Sequence, residues 1–485
     1  MKSMKMVDDP LAFEGVAGLA ARMRARSLSP VTLIDEALGR IRRLDGRLHA
    51  FIALTPDRAM AEARAAESVL ASGRDAGPLL GIPYAAKDLF NVKGVATMAG
   101  TSLLGDNVAG EDCPAVQKLA GAGMVLAGKT HTVQLAYGAV GINHDQGTPH
   151  NPWQPTPHAP GGSSSGSAVA VAAGLVPVAL GSDTGGSVRI PAALCGIVGL
   201  KTTVGRISRA GVYPLSWSLD SVGPLTRSVE DAALVFQVLQ GADAGDETTI
   251  GVTPQDVLRG LRDGVKNLRI AFAETVFFDG LEPEIEAAVR EAGRVFQSLG
   301  AHVDSVAVPE AAEVWADEKR PLWIAVEACD ANRDLLGRHF GALDPVVARR
   351  MIEGRTVSAT DYFALLRRVA ALRRRVLWTL RDVDALLVPA VPIAARSVAE
   401  IDASIETYMG FNVQYTRNTT IGNVLNFCAV SMPCGFTSAG LPIGLMIYAK
   451  PVAEDVALRA AYAYEHATAW HQYHPALEWA VAPSG

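Results

Sequence analysis

Apolar residues recur every three to four positions in "PVTLIDEALGRIRRLD", Pro30 to Asp45, and again in "TPDRAMAEARAAESVLASGR", Thr55 to Arg74. That spacing predicts two amphipathic helices, with Pro30 and Pro56 near their starts where a missing N–H does no harm. The short run "AFIAL", Ala50 to Leu54, predicts a strand between them. From Gly81 to about Gly223 the texture changes to short continuous apolar runs separated by glycine-rich turns, as in "GMVLAGKT", "GLVPVALGSDTGGS" and "CGIVGLKTTVGR". Strands covered on both faces carry such runs, so a large mixed or mostly parallel twisted sheet flanked by helices is predicted, an α/β fold. Beyond Asp231, helical patterns surround the strand candidates "NLRIAFA" and "DALLVPAVP", and "AVSMPCGF" with "LPIGLMIYA" reads as a late strand pair joined by a glycine-bearing turn. The arginine-dense "LLRRVAALRRRVLWTLRD" reads as a helix with an apolar stripe and a solvated basic face.

No internal repeat or low-complexity linker interrupts the 485 residues, which favours one domain over 1–485. Within it, a helical segment (about 1–75) precedes a core (about 76–235), and the remainder (236–485) completes the sheet and the substrate pocket. Hydrophobic residues at 49% and charged residues at 19% are the profile of a globular enzyme. The net charge of −6 argues against a nucleic-acid or anionic-membrane partner. Five cysteines without CxxC spacing suggest neither a disulfide framework nor a zinc knuckle, and fit a reducing cytoplasm. The start "MKSMKMVDDPLAFEG" has no apolar run of the kind a signal peptide needs, and "AVAVAAGLVPVAL" is short and broken by Pro177, so neither a signal peptide nor a membrane span is expected.

Three short patterns look like known chemistry and two of them mislead. "GMVLAGKT", Gly123 to Thr130, fits G-x-x-x-x-G-K-[ST], but its middle residues read as a buried strand rather than an anion-cradling turn. "GSSSG", Gly162 to Gly166, fits the G-x-S-x-G nucleophile elbow, yet that elbow must follow a strand and the proline-rich lead-in "NPWQPTPHAP" is not one. His131, His144, His150 and His158 crowd this region without metal-ligand spacing, so no metal site is expected.

The third pattern is a constellation: "GIPYAAKDLF" with Lys87, "PGGSSSGSAVAVAAG" with Ser163, and "GSDTGGSVRIPAALCGIVGLKTTVGR" with Ser187, 24 residues after Ser163. Together with "AGKTHTVQLAYG", "GTPHNPW", "SLDSVGPLTRSVEDAA" and "MPCGF…GLPIGLMI", these segments closely resemble the amidase signature family over most of the chain. Ser165 stands where the family usually has glycine. The resemblance implies that family's fold and hydrolysis of a carboxylic amide to carboxylate plus ammonia or amine, with no metal or organic cofactor. It implies Ser187 as nucleophile, Ser163 as a relay held through a cis peptide bond, and Lys87 as the base.

Elementary chemistry agrees with those roles. A serine hydroxyl is a poor nucleophile until a base takes its proton, and a lysine with its ordinary pKa of about 10.4 is not that base at neutral pH. Burial must lower it, and the apolar run around Lys87 suits a buried amine; a lysine snorkelling from a strand end is the competing picture. Gly185 and Gly186 let the backbone bend so that the amides of Thr184, Gly185, Gly186 and Ser187 converge as an oxyanion hole at a helix start. Asp183 and Arg189 flank this turn as structural supports. The resemblance also places the backbone of Tyr137 and Gly138 against the scissile amide, and gives residues from about Trp315 to Ile421 to the acyl pocket. Within that range Trp323, Tyr362 and Tyr415 either shape the pocket or pack as core aromatics.

The family also contains the glutaminase subunit of the tRNA-dependent amidotransferase, which works inside a complex. Glutamine recognition needs an acid for the α-amino group, and no acidic residue occurs between Glu406 and Glu454, where that subunit carries it. The expectation is therefore a free-standing amidase with a small-molecule amide as its partner; a homodimer is left open.

Overall fold

The computed structural model describes residues 4–5, 10–74, 77–318 and 320–481. Most of the leading "MKSMKMVDDP" lies outside the described residues, and so does that part of the signal-peptide expectation. Thirteen strands are present among them: β1 (Met4–Lys5), β2 (Phe51–Leu54), β3 (Pro83–Lys87), β4 (Val125–Thr130), β5 (Val178–Asp183), β6 (Val198–Lys201), β7 (Ser221–Thr226), β8 (Arg269–Ala273), β9 (His302–Val306), β10 (Ala385–Pro389), β11 (Cys428–Phe436), β12 (Pro442–Ala449) and β13 (His474–Pro475). β1 and β13 form a small ribbon; the other eleven make one sheet in the order β2-β4-β3-β5-β7-β6-β11-β12-β10-β8-β9. The sheet is mixed rather than mostly parallel: only β3–β4, β3–β5, β8–β9 and β8–β10 run parallel.

Every residue of β3, β4 and β5 is buried, which is why their sequences are continuous apolar runs instead of alternations. Strand alternation still divides them: Tyr84, Ala86, Val178 and Leu180 pack into one core with the helices Val229–Leu239 and Glu454–Ala467, while Ala85 and Ala179 pack with the helix Ser165–Ala172 on the other face. Lys87 follows Ala85 by two residues and therefore points to the second face. The helix Ser165–Ala172 has no polar side and is buried throughout, and its small residues let it lie close to the strands. At Gly166 a Cβ would stand 2.3 Å from the Ala50 carbonyl oxygen, so only glycine fits there.

The helices Pro30–Leu48 and Pro56–Ala71 and the antiparallel pair β11–β12 form where the sequence pattern places them. In the helix Ala359–Thr379, Val369, Leu372 and Val376 are buried while Arg367, Arg368, Arg374 and Arg375 face solvent, as its spacing predicts. β9 has no apolar signal because it is an edge strand with half-exposed residues. β7 carries Pro224 in mid-strand, opposite Leu180, a composition that argues against a central strand when read alone. Among the described residues no helix is long and apolar enough to cross a membrane.

Candidate active site

β3 ends at Lys87, and its fully buried ammonium donates to Ser163 Oγ at 2.7 Å and to Ser182 Oγ at 2.9 Å. Burial pulls the Lys87 amine down to about 7, with Asp220 and Asp183 acting in the opposite direction. The Gly162–Ser163 peptide bond is cis. The Ser163 carbonyl is held by Thr132 Oγ1 at 3.0 Å and by the Val133 amide at 3.2 Å, which ties the serine-rich turn to the end of β4. The Ser164 amide donates to the Ser187 carbonyl at 3.2 Å, bringing the two serine loops together. Ser187 is 8% exposed, and its hydroxyl has no hydrogen-bond partner among the described residues. It borders a cavity of about 150 Å3 shared with Tyr137, Gly138, Thr184 and Gly185.

The turn between β5 and the helix Arg189–Cys195 is braced from inside. Arg189 donates to Asp183 through Nε at 3.0 Å and Nη2 at 2.9 Å, and through Nη1 to Tyr448 Oη at 2.7 Å; Asn423 Nδ2 donates to Asp183 at 2.8 Å. The Arg189 guanidinium and these donors overcome the burial that would raise the Asp183 pKa, and hold it well below the ordinary carboxylate range. Asp183 Oδ1 also accepts the Gly186 N–H at 3.0 Å. This corrects the expected donor set: the Gly186 amide is already committed to a buried carboxylate. The amides of Thr184, Gly185 and Ser187 have no acceptor among the described residues, and these three residues border the cavity.

Several residues of the site gave no sequence signal of their own. Ser182 is the second acceptor of the Lys87 ammonium. Asp220 accepts from Thr184 Oγ1 and from the amides of Leu215 and Ser216, and burial raises its pKa. Both are short-range neighbours only in the fold, so spacing does not reveal them. Ser182 and Asp220 also border a second cavity of about 190 Å3, with Leu215 standing between it and the first. The first cavity is also lined by Arg320, Ile324, Arg350, Met409, Asn412 and Thr420. None of the three aromatics named from sequence lines it: Trp323 Nε1 and Tyr362 Oη bind the buried Glu327, and Tyr415 Oη bonds to Ala394 and Arg396.

The misleading patterns resolve into structure. Lys129, the lysine of the P-loop-like run, is buried in β4 with its ammonium 2.6 Å from Asp88, next to Lys87, and it also donates to Ala96 O and Thr97 Oγ1. His144 is held between Asp344 and Asp402, His150 and His158 bind the Thr156 carbonyl, and His131 is buried. All five cysteines are buried and unpaired.

Against known proteins, the family model described as Amidase matches residues 32–458. The chain belongs to the amidase signature family. It is a hydrolase of amides on that family's fold. It is 40% identical to an amidase of Pseudomonas putida over 474 residues, covering 95% of this chain and 97% of that one. It is 37% identical to a glutamyl-tRNA(Gln) amidotransferase subunit of Geobacter metallireducens over 475 residues, 93% of this chain and 96% of the other. Among solved structures, 6-aminohexanoate cyclic dimer hydrolase complexed with substrate superposes with a TM-score of 0.87 at 27% identity, over 97% of this chain and all of that one.

Proposed function

We propose that this amidase signature enzyme is a free-standing hydrolase of small linear amides, with Ser187 as nucleophile, Ser163 as proton relay and Lys87 as base. The observation that carries the reading is the buried Lys87 amine, lowered to about 7 and 2.7 Å from Ser163, one loop contact away from an open Ser187 hydroxyl. Neutral Lys87 takes the Ser163 proton, Ser163 takes the Ser187 proton, and Ser187 Oγ attacks the amide carbon. The carbonyl electron pair moves onto oxygen, where the amides of Thr184, Gly185 and Ser187 receive it. Collapse breaks the C–N bond, and the proton on Lys87 returns through Ser163 to the departing ammonia or amine. Water then cleaves the ester at Ser187 by the same relay run again. Asp183 and Arg189 hold the turn and do not exchange protons in this scheme, and the whole chain acts as a single domain whose sheet draws strands from each part.

The glutaminase reading has the 37% identity to the Geobacter amidotransferase protein in its favour. Against it, no carboxylate among the described residues borders the cavity to hold the α-ammonium of glutamine. The test is ammonia release by the purified chain from a panel of aliphatic, aromatic and amino-acid amides. Hydrolysis of simple amides without a partner, abolished by Ser187→Ala, is the expected result; hydrolysis of glutamine alone, and only with partner subunits present, overturns it.

A further inference from the structure

The cavity that Ser187 borders is chemically one-sided. Arg320 and Arg350 both line it, and among the described residues no aspartate or glutamate does. Arg350 lies over the Tyr137 ring, 3.8 Å from its centroid, and donates one Nη1 hydrogen to the Tyr137 carbonyl at 2.8 Å. Arg320 stacks on Trp315 at 4.0 Å and donates to the Trp315 carbonyl at 2.8 Å. Neither guanidinium has a carboxylate within ion-pair distance among the described residues, whereas Arg58 meets Asp112 at 2.8 Å and Arg189 meets Asp183 at 2.9 Å. Asp317, on the same stretch of chain as Arg320, meets Arg368 at 2.9 Å. Burial draws the Arg320 guanidinium down to about 10, with Asp317 opposing.

The remaining polar groups point the same way. Asn412 accepts the Ala139 amide through Oδ1 at 2.8 Å, which fixes the orientation of the side chain and leaves its NH2 as a donor on the cavity side. Thr420 directs its hydroxyl hydrogen to the Gly185 carbonyl. A wall of two guanidinium groups and an amide NH2, set among Ile324, Met409 and Val413, offers donors and positive charge to whatever occupies it.

Resting on the amidase reading above, we propose that the substrate's acyl group carries a carboxylate at its far end, held by Arg320 and Arg350, so that the preferred substrates are half-amides of dicarboxylic acids. The guanidinium fork matches a carboxylate in shape and charge, and the apolar residues between it and Ser187 accommodate the connecting methylenes. The same wall repels an ammonium group, which separates these substrates from amino-acid amides.

The experiment compares kcat/KM for the half-amides from malonamic to adipamic acid with the matching diamides, which are neutral isosteres, and with 4-aminobutanamide as a cationic control. A hydrogen bond to a charged group is worth enough to favour the best half-amide over its diamide by about 10- to 100-fold, and the cation falls below both. Arg320→Met and Arg350→Met each lower that half-amide-to-diamide ratio about tenfold, and Arg350→Lys, which keeps the charge, retains part of it. If Arg350→Met fails to fold because of its packing on Tyr137, Arg320→Met and the compression of the ratio by added salt carry the test. A ratio near one for every chain length, or a ratio unchanged in Arg320→Met, overturns the inference while Ser187-dependent hydrolysis leaves the amidase reading intact. No hydrolysis of any amide overturns both.

Discussion

The pH dependence of turnover is the sharpest consequence of Lys87. Its amine sits at about 7 because the side chain is fully buried, with two hydroxyl acceptors and, among the described residues, no contacting carboxylate. Holding it there instead of at its ordinary value costs about 5 kcal/mol of lost solvation for the charged form. In the proposed relay the active form is the neutral amine, so the sign is fixed: activity falls as acid protonates Lys87 and rises to a plateau above its pKa. With a pKa of about 7, roughly 90% of the amine is neutral at pH 8 and about 1% at pH 5, so kcat/KM on a neutral diamide rises about 90-fold over that range and then levels. An exposed lysine would be under about 1% neutral at pH 8, and the rate would continue to climb tenfold per pH unit towards pH 10. The assay is ammonia release across buffers of constant ionic strength from pH 5 to 10, with folding followed by circular dichroism at each pH. A log-linear rise that continues beyond pH 9, or a flat profile from pH 5 to 8 in a folded protein, refutes the assignment of Lys87 as base.

Other consequences are as direct. Ser182→Ala removes an acceptor that favours the protonated amine, so the acid limb of the same profile moves down by about one pH unit while misorientation of the amine lowers the plateau about tenfold. Arg189→Met leaves Asp183 buried without its ion partner and costs about 3 to 5 kcal/mol, read as a lower midpoint in urea unfolding. Burial raises Glu465 to about 8 and Asp231 to about 7, where they accept the Val229 and Val16 amides. Folded-state pKa values raised this way contribute stability that is present below about pH 4 and lost as pH rises through 7 to 8, so Glu465→Gln reduces the drop in unfolding midpoint between pH 6 and 9.

Much of the protein is written locally. Helix periodicity, the buried runs of β3 to β5 and the β11–β12 pair follow from the alternation of apolar and polar residues, because each depends on neighbours within a few positions. The residues of the serine, glycine and lysine segments were likewise legible, since their types and order are a property of the chain itself. The P-loop-like and elbow-like patterns fail on the same local grounds, by what precedes and fills them. Strand order was not legible: β7 enters the centre of the sheet with a proline in it, and β9 is an edge with little apolar character. Nor did the sequence decide that Ser182 and Asp220 stand beside the site, that the Gly186 amide belongs to Asp183, or that Arg320 and Arg350 line one cavity. Most of those facts join residues separated by tens to hundreds of positions. Only the packed sheet sets such distances, and only burial within it brings the amine of Lys87 down to about 7.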